Sequence, residues 1–223
     1  MQVRKDELVN GQIYHVFSRS IAGFVVFNTS DEYARMIDLL DLFRYRNFTH
    51  KYAIYKKLTV NSQIAIRENL INSERSVEII AYCIMPTHIH LVLKQIESEG
   101  ISKFLAKVLN SYSRYFNTRH KRTGPLWEGR FKSVLVDRDE QLLHLTRYLH
   151  LNPTSAGLVD NPEDWDYSSY NEYIDPSSGQ NLCDVGDLFD LSPDQYQLFV
   201  NERKDDQKTL SLIKAVLIDN YSG

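Results

Sequence analysis

The sequence predicts an α+β fold: a ferredoxin-like split βαβ sheet with an appended helix and a C-terminal helical extension. Three observations carry this. Ile13 to Arg19 and Ile89 to Lys94 alternate their side chains at period two, the spacing of a strand with two distinct faces. A long segment after Gly100 repeats apolar residues at helical spacing, the mark of a helix with one buried stripe. The elements then run strand, helix, strand, strand, helix, strand and one further helix, which is the order of the split βαβ unit. In that topology the first and third strands are central neighbours.

The elements follow in turn. In the first strand Ile13, His15 and Phe17 oppose Tyr14, Val16 and Ser18. Gly23 and Asn28 mark a loop, after which Ser30 is placed to cap a helix with Asp31 and Glu32 in its first turn, where carboxylates suit the helix dipole. Tyr33, Met36, Ile37 and Leu40 carry that helix to about Arg46. Residues 47–76 hold one short helix, Ser62 to Asn72. Val77 to Met85 and Ile89 to Lys94 are the second and third strands, joined tightly through Pro86-Thr87, since proline fixes φ and donates no amide.

The helix from Gly100 buries Ile101, Phe104, Leu105, Val108, Leu109, Tyr112, Tyr115 and Phe116 along one face. Gly124-Pro125 turns the chain into a fourth strand, Phe131 to Val136. Asp137 or Asp139 then caps a helix from Glu140 to about Leu151, which Pro153 should end because the residue before proline avoids the α region. Beyond Gly157 come Trp165, Tyr167, Tyr170 and Tyr173 among acidic residues, a linker at Pro176-Ser177-Ser178-Gly179, and candidate helices at Leu188–Val200 and Leu210–Ile218. The organisation expected is a main domain over residues 1–175 and an acidic helical extension over 176–223.

No apolar run reaches membrane-spanning length, and the opening Met1 to Asp6 has no signal-peptide pattern, so the expected setting is cytoplasmic. Cys83 and Cys183, far apart in sequence, are read as reduced thiols. The net charge of −3 hides an uneven distribution. Residues 1–99 carry 12 basic and 11 acidic side chains, residues 100–150 carry 10 and 4, and residues 151–223 carry 4 and 14. A basic middle followed by an acidic tail is a pattern of polyanion binders.

His88-Ile89-His90 sits in the third strand, so its two imidazoles point the same way and can reach one metal ion. On the following helix Gln141, His144, Tyr148 and Asn152 share one polar edge beside the stripe Leu142, Leu145 and Leu149. That helix can pack by its leucines and still present Tyr148. His144, one turn earlier, is read as an exposed neighbour of the phenol.

Four ordered blocks, Tyr82–His90, Tyr115–His120, Trp127–Ser133 and Tyr148–Pro153, together resemble the single-tyrosine HUH transposases, in particular the REP-associated tyrosine transposases. The resemblance spans about Ile13 to Tyr173. It implies that the appended helix is catalytic, with Tyr148 as nucleophile and His88, His90 and Asn152 as ligands of a divalent metal, Mg²⁺ or Mn²⁺. Many insertion-sequence relatives carry Gln where this chain has Asn152. The substrate implied is single-stranded or hairpin DNA, cleaved and rejoined by a monomer or homodimer through a 5′-phosphotyrosine. Lys103, Lys107, Arg114, Arg119, Lys121, Arg122, Arg130 and Lys132 are the candidate phosphate contacts. The alternatives are a hairpin-DNA-binding or regulatory protein with little cleavage, and a small metal hydrolase using His88 and His90.

The chemistry fits the residue types. An enzyme that must rejoin what it cuts conserves the bond energy in a covalent ester. A phenol with a pKa near 10 is a weak nucleophile at neutrality and needs a cation to polarise the phosphoryl group. Imidazole and amide donors with open positions suit such a cation, and imidazole would also take zinc or nickel.

Overall fold

The structure, a computed structural model, describes residues 7–177, 182–184 and 190–202. Four strands, β1 (Ile13–Arg19), β2 (Val77–Met85), β3 (His88–Gln95) and β4 (Lys132–Val136), form one antiparallel sheet in the order β2-β3-β1-β4. This is the expected split βαβ arrangement, with β1 and β3 at its centre. The pairing puts Arg19 opposite His88, Phe17 opposite His90 and His15 opposite Val92.

The alternation in β3 sorts its side chains onto two cores. Ile89, Leu91 and Leu93 join Tyr14 and Val16 of β1 beneath α1 (Ser30–Phe43) and α4 (Gly100–Arg119). Val92 faces the other way, with Val136 of β4 and Ala81 and Cys83 of β2, beneath α5 (Asp139–Ser155). The stripe Leu142, Leu145 and Leu149 seals α5 to that face, each leucine contributing roughly 1.5–3 kcal/mol by burial. The sheet is therefore sandwiched, with α1 and α4 on one side and α5 on the other. Gly100 lets α4 start hard against β2, because a Cβ there would collide with the carbonyl oxygen of Ser76.

The short helices α2 (Tyr52–Tyr55) and α3 (Val60–Ile71) fill the β2-side connection; α2 was not legible in the sequence. On the α5 side, α6 (Tyr170–Ile174) and α7 (Pro193–Asn201) place Tyr170, Tyr173, Tyr196 and Val200 in the second core. The expected helix at Leu210–Ile218 lies outside the described residues.

Several boundaries differ from expectation for identifiable reasons. The N-cap of α1 is Thr29, not Ser30, because Glu32 reaches back to the amide of Thr29 at 3.3 Å in a capping box. That helix stops at Phe43 rather than Arg46, since the carbonyl of Arg44 accepts from Ser76 at 2.7 Å and Tyr45 bridges to Arg75. Neither Asp137 nor Asp139 caps α5: Arg138 is the N-cap, and Asp139 and Glu140 occupy the first turn.

Pro153 does not end α5 either; it lies buried inside it. The stop is Gly157, at φ +67°. The amide of Gly157 bonds to Thr154 and that of Leu158 to Pro153, the paired bonds of a glycine-terminated helix. Asn152 is consequently held within the helix, one turn beyond Tyr148.

Glu32 anchors the outer layer. Fully buried, it takes hydrogen bonds from His120 at 2.6 Å and from the Asn28 amide at 2.6 Å. Burial alone would raise its pKa, but the bonds from His120 and Asn28 outweigh that and hold it below the ordinary value. A lowered folded-state pKa gives stability that is present above the unfolded value and lost as pH falls through the folded one. Glu32→Gln should therefore cost about 1–3 kcal/mol at neutral pH, and the deficit should shrink in acid. Urea unfolding of both proteins at neutral and acidic pH measures this.

Candidate active site

The site is built on the sheet face that α5 covers. His88 and His90, two residues apart on β3, lie 5.0 Å between ring centroids. Tyr148 projects from α5 with its ring edge-on to His90, at 6.2 Å between centroids. The two histidines and the tyrosine thus converge within a single chain. Asn152 follows Tyr148 by one helical turn, and its Nδ2 is buried with no hydrogen-bond partner among the described residues.

Each imidazole is fixed through the same nitrogen. Nδ1 of His90 lies 3.1 Å from Nε2 of His15, whose ring stacks on it at 5.3 Å. Nδ1 of His88 lies 2.8 Å from Oγ1 of Thr87. Engaging Nδ1 orients the ring and presents Nε2 for ligation, the usual outer-shell arrangement of metal-binding histidines. Phe17 packs on both rings, at 5.4 Å from His88 and 4.8 Å from His90. Burial, with His15 and His88 adding to it, drives the pKa of His90 well below its ordinary value. His90 is therefore neutral, the form in which imidazole binds a metal.

Two oriented imidazoles suit a divalent cation, and Asn152, one turn beyond Tyr148, would offer its Oδ1 as a third donor. Among the described residues no cluster of three or more His, Cys, Asp or Glu forms a metal site.

Behind α5 a buried polar network sets the helix in place. His150 Nδ1 lies 2.8 Å from the Tyr196 hydroxyl, and its Nε2 lies 2.7 Å from Ser169 Oγ. Tyr196 also donates to Thr146 at 2.9 Å. Burial lowers the pKa of His150 to about 3, leaving it neutral and tied to both α7 and the segment before α6. Arg147 lies over the Phe199 ring at 5.0 Å. His144, read as exposed, is instead half-buried, with its ring against Phe199 at 5.3 Å. Tyr196 and Phe199 of α7 thus clasp α5 from its outer side.

The eight candidate phosphate contacts do not share one surface. Lys132 lies opposite Phe17 in the β1–β4 pairing, on the face of the histidines. Lys103, Lys107 and Arg114 are exposed on α4, on the other side of the sheet. Arg119 ends that helix and bonds the Tyr115 hydroxyl at 2.8 Å. Arg122 is engaged by Asn117 and the Pro125 carbonyl. Lys121 and Arg130 are exposed in the connection to β4.

Sequence reasoning missed three contributors. His15 and Arg19 share the parity of the His88 and His90 face once β1 is known to pair with β3, so the strand order held the signal. Thr87 was read only as a turn residue.

The site thus sets a His-x-His pair on an inner strand beneath a helix that presents a tyrosine. The family model described as "Transposase IS200 like" matches residues 45–152, a range that holds His88, His90, Tyr148 and Asn152. A Haemophilus influenzae protein named as a REP-associated tyrosine transposase is 30% identical over 107 residues, covering 44% of this chain and 61% of that protein. The chain thus spans about three fifths of that relative's length. A solved REP-associated tyrosine transposase, bound to a REP hairpin, superposes with a TM-score of 0.54 at 17% identity over 86% of this chain and 96% of its own. Over residues 45–152 the chain is similar to the IS200-like transposases, and it shares its fold with the solved REP-associated tyrosine transposase. No helix among the described residues is long and apolar enough to cross a membrane.

Proposed function

We propose that this protein cleaves and rejoins single-stranded DNA at a hairpin of the REP type through a 5′-phosphotyrosine on Tyr148. The observation that carries the reading is the convergence of His88, His90 and Tyr148 on one face of the sheet. The hairpin is suggested by the structural relative, which was solved with one.

The phenolic oxygen of Tyr148 attacks the scissile phosphorus as its proton departs to water, and the bond to the 3′ oxygen breaks. The upstream strand leaves with a 3′-hydroxyl and the downstream 5′ phosphate stays on Tyr148. Attack by a 3′-hydroxyl on that ester reverses the step, so rejoining needs no external energy source. His88, His90 and Asn152 would hold a divalent metal, Mg²⁺ or Mn²⁺, which supplies charge to the phosphoryl oxygens in the transition state. Arg19 and Lys132, on the same face, add positive potential that draws the phosphate backbone toward the tyrosine. The network of His150, Ser169 and Tyr196 keeps α5 rigid, so that Tyr148 meets the phosphorus at a fixed angle.

Incubation of the full chain with a labelled hairpin oligonucleotide and Mn²⁺ should give a covalent protein–DNA adduct on a denaturing gel. Tyr148→Phe should lower its yield by roughly a thousandfold or more while the protein still folds; an undiminished adduct would remove Tyr148 from the mechanism. His15→Leu should weaken Mn²⁺ binding about 10–100-fold, read by titration calorimetry without DNA. Unchanged Mn²⁺ affinity would mean that His15 does not orient a ligand.

A further inference from the structure

On the outer layer, away from the histidines, a cavity of about 330 Å³ opens between α1, α2 and α4. Its floor is the guanidinium of Arg35, sandwiched between the rings of Tyr52, at 4.5 Å, and Tyr115, at 3.9 Å. Among the described residues this guanidinium makes no hydrogen bond or ion pair, and its Nε is buried without a partner. A guanidinium carries five N–H donors in a planar fork, and leaving them unmet in a half-buried site is costly. The two rings fix the plane of the fork and leave its edge to an acceptor.

The lining carries one more positive than negative charge, that of Arg35. Lys56 and Arg119 flank Arg35 in the lining, against Asp31 and Asp38. Asp38 is already committed: it accepts from the Tyr52 hydroxyl and from Arg67 at 2.9 Å, with Lys56 at 3.7 Å. Asp31 meets Arg119 at 3.5 Å, both exposed, and a pair of that kind is separated at little cost. Arg35 makes no ion pair among the described residues; Asp38, in the same lining, acts on it only electrostatically.

We propose that this cavity is a phosphate-binding site, with Arg35 as the bidentate donor and Arg119 and Lys56 as the rim. Its ligand is a phosphate group, taken either from a DNA backbone wrapping to the outer layer or from a free phosphate compound. The planar fork suits phosphate oxygens, and the tyrosines leave it no freedom to turn away. The site needs nothing from Tyr148 and stands apart from the cleavage chemistry.

The test is made on the full chain in the Tyr148→Phe background, so that no covalent product contributes. Hairpin binding is followed by fluorescence anisotropy over a salt series, and inorganic phosphate is titrated against thermal unfolding. If the source is DNA, Arg35→Gln weakens the hairpin about tenfold and flattens the slope of log affinity against log salt by about one. If it is a free phosphate compound, inorganic phosphate raises the melting temperature of the Arg35 protein and not of Arg35→Gln. Arg119→Gln, at the exposed rim, should show a smaller loss in the same measurement and serves should Arg35→Gln fail to fold. Variants that match their parent in both measurements overturn the site.

Discussion

The pairing of β1 with β3 is the constraint on which the rest of the structure depends. Because side chains on a strand alternate strictly, fixing one residue of β3 assigns every other residue of that strand to a face. Leu91 and Leu93 belong under α1 and α4, so His88 and His90 must belong under α5. The same pairing brings His15 against His90 and Arg19 opposite His88. A slip of one residue would exchange core and site together. The apolar side of β3 therefore guarantees the polar side, and burial of leucine and isoleucine holds the imidazoles in register.

The second determinant is how α5 is held. Its leucines face the sheet and its outer side is gripped by Tyr196 and Phe199 of α7. Tyr148 sits at the boundary between these contacts, half-buried and edge-on to His90. Gly157 rather than Pro153 closes the helix, which keeps Asn152 on the same face as the tyrosine. Part of the acidic end packs elsewhere: Asp184 pairs with Arg44 at 3.4 Å and also with Arg75, and Leu182 enters the first core.

Much of this was legible because it depends on periodicity. The alternation in β1 and β3 and the stripe of α4 report which side chains are buried, and burial is what orders the elements. The pairing of His88 with His90 follows from the same rule. What periodicity does not report is the side of the sheet on which a helix lies. The basic residues of α4 and Lys132 were therefore grouped as phosphate contacts, whereas the sheet separates them. Nor does it report contacts between distant segments: Arg35 with Tyr52 and Tyr115, or His150 with Tyr196, arise only when the layers close. Pro153 misled because a local backbone preference was overridden by packing of a buried residue in an otherwise well-held helix.

The central claim is that one chain supplies both the imidazole pair and the tyrosine. Subunit mixing tests it directly: His90→Ala protein and Tyr148→Phe protein are combined with a labelled hairpin oligonucleotide and Mn²⁺. The account predicts no more covalent adduct from the mixture than from either variant alone, under conditions where the unmodified protein forms it. Adduct restored on mixing would place the tyrosine of one chain over the histidines of another and contradict it.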